Sequence, residues 1–123
     1  MAALLGALSV ALGAFAAHSL KQKLAPDALN VFETAVRYQF YHTFALLMVG
    51  VIFKELTGNW AKRSGLFFIA GIVLFSGSLY ALTATRLVSA EGFNWLGAIT
   101  PFGGLCFIAG WISLFIACGK KAL

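Results

Sequence analysis

Apolar residues fill four long stretches of this 123-residue chain, with short polar connections between them. The stretches cover residues 1–20, 36–55, 64–85 and 101–119. A hydrocarbon core about 30 Å thick requires about 20 helical residues at a rise of about 1.5 Å each. The pattern therefore predicts an all-α membrane protein, in which residues 1–123 form one domain of four transmembrane helices in an up-down-up-down bundle.

The segment before the second apolar stretch is amphipathic. Pro26 and Asp27 are typical of a helix start, with Asp27 as the N-cap. Phe32 lies on one side of this helix, while Glu33 and Arg37 lie on another and are four residues apart, a spacing at which they can pair. We expect the segment to lie at the interface as a short helix, or to extend the second span as one long helix.

Capping signals predict the remaining boundaries. Residues 57–59 (TGN) end the second span, and Ser64 caps the third. Thr100 is the predicted N-cap of the fourth span, with Pro101 at its first helical position. Residues 88–99 then form a loop that lies in the interface.

Small residues share one face of the first span, at Gly6, Gly13 and Ala17. Small side chains let a neighbouring helix approach closely, and lipid offers no hydrophobic force to replace that packing. We therefore expect the first span to be a central helix that makes close contacts. The residues to which the sequence assigns a structural role are Gly13, Ala17, Pro101, Gly103 and Gly104.

Composition agrees with a membrane protein, since 61% of residues are hydrophobic and 11% are charged, against about 25% charged in soluble domains. The net charge of +5 comes from basic residues that flank the spans as anchors. No basic stripe is interleaved with aromatic residues, so no nucleic-acid partner is expected. The expected partners are the lipid bilayer and either further copies of the chain or another membrane protein.

Basic residues also predict the topology. With four spans both termini lie on one side, which holds Lys54, Lys62, Arg63, Lys120 and Lys121. The other side holds Lys21, Lys23, Arg37 and Arg86. Because the more basic side faces the cytoplasm, both termini are predicted to be cytoplasmic.

Polar residues concentrate towards the face opposite the termini. His18 ends the first span, and Gln39 and His42 share the inward face of the second with Tyr38 close by. Ionisable residues inside membranes are rare and often functional. The hypothesis is a ligand-binding pocket of His18, Tyr38, Gln39, His42 and Arg86, with the two histidines within a hydrogen bond or one bridging water. The alternative is a hydrogen-bonded lock that fixes helix packing.

No catalytic residue, metal site or cofactor is predicted. Two histidines without a nearby cysteine or carboxylate are a weak metal signal. None of the four acidic residues lies deep in a predicted span, which argues against carboxylate catalysis. Cys106 and Cys118 share one predicted helix and lie about 18 Å apart, so they cannot form a disulfide within the chain.

Three motifs lie among these residues. Residues 13–18 (GAFAAH) resemble a GAFGAH signature, with Ala16 in place of a glycine, residues 38–42 (YQFYH) match a YQxxH element, and residues 100–104 (TPFGG) match a late P-x-GG element. In order and spacing the three are similar to those of the YgdD/YwdK-like small membrane proteins, a family of unknown function. The resemblance implies four transmembrane helices in a bacterial inner membrane and no established activity.

The sequence thus predicts a small integral protein of the bacterial inner (plasma) membrane, multi-pass, with cytoplasmic termini. We expect it to bind a small molecule, a lipid or a protein partner at a polar pocket on the non-cytoplasmic side. The alternative is a subunit of an oligomeric transporter or channel.

Overall fold

The structure is a computed structural model that describes residues 1–56 and 58–119. It contains four helical spans that are long and apolar enough to cross a membrane: Ala2–Gln22, Pro26–Glu55, Trp60–Leu87 and Leu96–Gly119. The predicted all-α class with four transmembrane helices is confirmed. The predicted stop at Thr57 and the terminal anchors Lys120 and Lys121 lie outside the described residues.

Five α-helices and three shorter helical turns build these spans. They are α1 (Ala2–His18) with a 3-10 turn at Leu20–Gln22, α2 (Pro26–Ile52) with a 3-10 turn at Phe53–Glu55, α3 (Trp60–Gly71), a π-helical turn at Ile72–Ser76, α4 (Gly77–Leu87) and α5 (Leu96–Gly119). We call α3, the π-helical turn and α4 together the third span.

The first span packs antiparallel against α2. A Cβ atom placed on Gly13 would lie 3.6 Å from Val36, and one on Gly6 would lie 3.6 Å from Thr43. Residue numbers therefore fall along α1 as they rise along α2, as the up-down bundle requires. Both distances are ordinary van der Waals contacts, and Ala17 is exposed.

The closest helix contacts join the third span to α5. The first span, expected to be a central helix with close contacts, meets α2 at ordinary van der Waals distances through Gly6 and Gly13. A Cβ atom on Gly110 would lie 2.7 Å from the ring of Phe68. One on Gly103 would meet the backbone of Phe75, in the π-helical turn, at 2.7 Å from its Cα. Only glycine permits these approaches. The structural role predicted for Gly103 therefore has a physical basis, whereas a Cβ atom on Gly104 would lie 4.0 Å from the Phe75 ring, an ordinary contact.

The amphipathic segment extends the second span, which is the second of the two predicted arrangements. Helix α2 runs without interruption from Pro26 to Ile52. Its N-cap is Ala25, with Pro26 at the start of the helix, and Asp27 makes no side-chain cap bond. The prediction of Asp27 as the N-cap is therefore wrong, because the helix already begins at Pro26, one residue before Asp27.

Two other predicted caps lie inside helices. Ser64 lies within α3, where it is fully buried and its hydroxyl donates to the Gly110 carbonyl at 2.9 Å. Helix α5 begins at Leu96 and contains Pro101, and the Thr100 hydroxyl bonds that of Ser78 at 2.8 Å instead of capping. Both hydroxyls join neighbouring spans, in keeping with the need of polar groups inside a bundle in lipid to find partners within the protein.

Candidate functional site

Gln39 and His42 lie on the buried face of α2, as the sequence predicts, and are 2% and 6% exposed. The Gln39 amide nitrogen donates to the Leu5 carbonyl of α1 at 3.1 Å. Its amide oxygen accepts the Tyr80 hydroxyl of the third span at 2.9 Å. Gln39 therefore ties three spans together, and this part of the cluster corresponds to a packing lock.

The hydrogen bonds of His42 determine its tautomer. The Trp111 indole N–H, which can only donate, lies 3.3 Å from His42 Nε2. Nε2 is therefore the acceptor, and Nδ1 carries the proton that it donates to the Tyr38 carbonyl at 2.7 Å. The imidazole is neutral, and its unprotonated nitrogen points towards α5.

Aromatic rings surround the imidazole. The Phe107 ring is stacked on it at 3.5 Å between centroids and 9° between planes. Phe68 lies at 5.8 Å on another side, and Tyr38 at 6.0 Å. Among the residues that the structure describes, the polar contact that His42 makes outside its own helix is the bond to Trp111.

A groove of about 430 Å³ opens over this cluster. Its floor includes His42, and its lining includes Pro101 and Gly104, so two members of the TPFGG motif form part of its wall. Leu105 and Trp111, at the groove's edge, are 62% and 50% exposed. The groove therefore faces outwards, where lipid would surround a membrane-embedded bundle.

The groove lies near the middle of the bundle. Asp27 is in the first turn of the second span and Lys54 in the last, so their midpoint falls between residues 40 and 41. His42 is within about 2 Å of this level along the helix axis. Tryptophan usually lies at membrane interfaces, where its indole N–H meets water or headgroups. In the middle of a span the indole N–H of Trp111 needs a partner within the protein, and His42 accepts its hydrogen bond.

His18 does not join this site. The α1–α2 contacts pair residues whose numbers add to 49 (13 with 36, and 6 with 43), which puts His18 level with Val31 and His42 level with Ala7. The two histidines are therefore about 16 Å apart along the bundle axis. The expected juxtaposition is wrong because α2 begins at Pro26 rather than at residue 36, which makes His42 a mid-span residue.

Arg86 lies at the end of the third span, next to the first turn of α2, rather than beside His42. Its guanidinium is 3.7 Å from the Asp27 carboxylate, with the two side chains 41% and 81% exposed. An exposed pair of this kind contributes little to stability. Of the predicted pocket residues, Tyr38 and His42 line the groove, while His18, Gln39 and Arg86 do not.

Sequence reasoning missed Phe75, Phe107 and Trp111 as site residues. The signal for Trp111 was its position in the middle of an apolar stretch, away from either interface. No group of three histidine, cysteine, aspartate or glutamate side chains converges within residues 1–56 and 58–119 to hold a metal ion.

Comparison with known proteins identifies relatives without an assigned activity. A family model described as protein of unknown function (DUF423) matches residues 12–104, which include all three motifs. The chain is 45% identical to a UPF0382 membrane protein of Staphylococcus haemolyticus over 122 residues, which are 98% of this chain and 93% of that protein. It is 43% identical over 114 residues to the UPF0382 membrane protein YwdK of Bacillus subtilis, which covers 92% of this chain and 88% of that protein. It is 45% identical over 115 residues to a UPF0382 membrane protein of Haemophilus influenzae, which covers 93% of this chain and 86% of that protein. No solved structure matches the chain.

Proposed function

We propose that this chain, which belongs to the DUF423 family of proteins of unknown function, binds an apolar molecule that carries a hydroxyl group. The binding site is the groove that His42 and Trp111 line. The hydroxyl sits between His42 and Trp111, and the apolar part lies along the groove. The observation that carries this proposal is the contact between the Trp111 N–H and His42 Nε2 at the floor of an outward-facing groove.

Hydrogen-bond chemistry selects the hydroxyl. The Trp111 N–H and His42 Nε2 bond each other directly at 3.3 Å, so a ligand hydroxyl replaces this bond and separates the two groups. A hydroxyl accepts from the indole N–H and donates to Nε2, so it satisfies both groups at once. A carbonyl can only accept and would leave Nε2 unpaired, and an ammonium can only donate and would leave the indole unpaired.

The groove's dimensions and lining suit such a molecule. Small-molecule sites occupy about 300–1,000 Å³ and are mostly apolar with few polar groups, and this groove measures about 430 Å³. Tyr38, Phe75 and Phe107 supply aromatic surface around the single imidazole. A ligand dissolved in the bilayer would reach the groove directly, because its opening faces outwards.

We also propose that the protein lies in the bacterial inner membrane with both termini in the cytoplasm. Its relatives are bacterial membrane proteins, and the charge distribution favours this orientation. The alternative of an oligomeric transporter would need a path between copies, because Phe68 and Phe107, 0% and 3% exposed, fill the middle of the bundle.

Quenching of Trp111 fluorescence tests the binding proposal. The chain has three tryptophans, so Trp60→Phe and Trp95→Phe leave Trp111 as the only reporter. This variant is reconstituted in phosphatidylethanolamine–phosphatidylglycerol vesicles and titrated with 9,10-dibromostearyl alcohol or with its methyl ether, which lacks the donor. We expect the alcohol to reach half-maximal quenching at an at least fivefold lower mole fraction than the ether.

Two histidine substitutions complete the test. His42→Phe keeps a ring but removes the acceptor, and we expect it to abolish the preference for the alcohol. His18→Phe makes the same change at an exposed position outside the groove and should keep the preference. Equal quenching by alcohol and ether in the parent protein would refute the proposal.

A further inference from the structure

The side of α2 that faces away from the bundle carries an unusual row of exposed residues. We call this row the outer face of α2, and it comprises Glu33, Arg37, Tyr41, Phe44, Met48 and Val51. Successive members are three or four residues apart, so they form one stripe along the helix. Arg37 is exposed on the side of α2 opposite the buried Gln39 and Ala35, next to α1.

Two charges of opposite sign lie deep on this face. Along the axis of α2, Arg37 lies about 5 Å and Glu33 about 11 Å from the midpoint of the second span. Both would lie inside a hydrocarbon core about 30 Å thick. The expected pair between Glu33 and Arg37 does not form, since the ion pair found within the described residues joins Arg86 to Asp27.

Unpaired charges at this depth are costly in lipid and require a partner. We propose that the outer face of α2 is the interface of a homodimer, in which Arg37 of each copy pairs with Glu33 of the partner subunit. With the two-fold axis along the membrane normal, the two α2 helices run parallel and both pairs form by symmetry.

The geometry of the stripe fits this arrangement. Spacings of three and four residues are those of a seam between two parallel helices. Arg37 and the partner's Glu33 are offset by about 6 Å along the axis, a distance that the long arginine side chain spans. Phe44 and Met48, 54% and 55% exposed, provide apolar contact further along the same seam.

A cavity beside the charges provides room for the second copy. It measures about 240 Å³ and is lined by Gly13, Ala16, Glu33, Val36 and Arg37. The small residues of α1 therefore leave space next to Glu33 and Arg37, where a side chain of the partner subunit can enter. This inference does not depend on the proposed function, because Tyr38 and His42 face α5 and line a different groove.

Disulfide cross-linking in native membranes tests the interface. In a Cys106→Ser, Cys118→Ser background, Phe44→Cys places a thiol on the outer face of α2. Val73→Cys is the matched control, because Val73 is 63% exposed on the third span. With copper phenanthroline as oxidant, we expect Phe44→Cys to cross-link at least fivefold more than Val73→Cys. Equal cross-linking at both positions, or none at Phe44→Cys, would overturn the proposal.

Charge exchange tests the pairing. Arg37→Glu or Glu33→Arg alone places like charges opposite each other, and each should lower the dimer fraction at least tenfold in single-molecule photobleaching of vesicle-reconstituted protein. The double exchange restores opposite charges and should recover the dimer to within threefold of the parent. Arg86→Glu, which changes an exposed charge off this face, should leave the dimer unchanged.

The main competing occupant is a phospholipid phosphate held by Arg37. In that case the parent protein is monomeric, or the dimer fraction does not respond to Arg37→Glu, and either result overturns the proposal. Failure of the double exchange to restore a dimer lost in both single variants also overturns it. If a charge variant fails to insert, the Phe44→Cys comparison, which leaves both charges in place, decides the question.

Discussion

Replacing Gly103 with alanine adds one methyl group at the closest approach between α5 and the third span. The new Cβ would lie 2.7 Å from both Cα and Cβ of Phe75, whereas carbon atoms in favourable contact are about 3.5–4.0 Å apart. The obstacle is backbone in the π-helical turn, so rotation of a side chain cannot relieve it. The two helices must separate by about 1 Å.

The cost follows from this separation. Inserting a methyl group into a packed interior costs about 1–3 kcal/mol. A gap of about 0.5–1 Å also forfeits a quarter to a half of the dispersion energy of neighbouring contacts, which here include Phe68 against Gly110 and Phe107 against Gly71. We therefore expect Gly103→Ala to lower the free energy of unfolding by about 2–4 kcal/mol.

Gly104→Ala is the matched control. It adds the same methyl group to the same helix, but its nearest contact is the Phe75 ring at 4.0 Å. It should be neutral or stabilise the fold by up to about 1 kcal/mol, because alanine is a better helix former than glycine. Circular dichroism during unfolding in mixed dodecyl maltoside–SDS micelles measures both variants. Equal stability of the two would refute the inference that the Gly103 contact is sterically closed.

Three further predictions concern the polar groups and the topology. Gln39→Leu leaves the Tyr80 hydroxyl without its acceptor and should lower the free energy of unfolding by about 2 kcal/mol. Gln22→Leu, at an exposed position, should lower it by less than about 0.5 kcal/mol. Comparable losses in the two variants would contradict the role of Gln39 as a packing lock. Ser64→Ala removes the bond to α5 and should cost about 1 kcal/mol in the same unfolding assay, and no loss would show that the bond contributes nothing. A cytoplasm-only reporter fused to the C-terminus should be active, and activity of a periplasm-only reporter there would reverse the topology.

The number of spans was predictable because apolar length is a strong signal, whereas the helix boundaries were not. Asp27, Ser64 and Thr100 all have side chains typical of caps in water. Within a bundle in lipid, every backbone polar group must be paired, and helices continue wherever they can. Ser64 and Thr100 therefore lie inside continuing helices and bond to neighbouring spans instead.

The inward face of α2 was predictable from periodicity, since Gln39 and His42 are three residues apart and both are buried. Which glycines make close contacts was not, because small residues occur on every span and the sequence does not say which spans are neighbours. Gly13 looked as suitable as Gly103, yet only Gly103 meets a backbone. Apart from Tyr38, the aromatic partners of His42 come from α3 and α5, so their identity also depends on which spans are neighbours.

Nitrogen NMR in bilayer nanodiscs measures both the tautomer of His42 and the response of the His42–Trp111 contact to an alcohol. In protein labelled with ¹⁵N at histidine and tryptophan, we predict that His42 is neutral with its proton on Nδ1, since Trp111 donates to Nε2. Hexadecanol should then shift the Trp111 indole and His42 Nε2 signals together, while hexadecyl methyl ether should shift neither to a similar extent. A proton on Nε2, or identical spectra with the alcohol and the ether, would contradict the account.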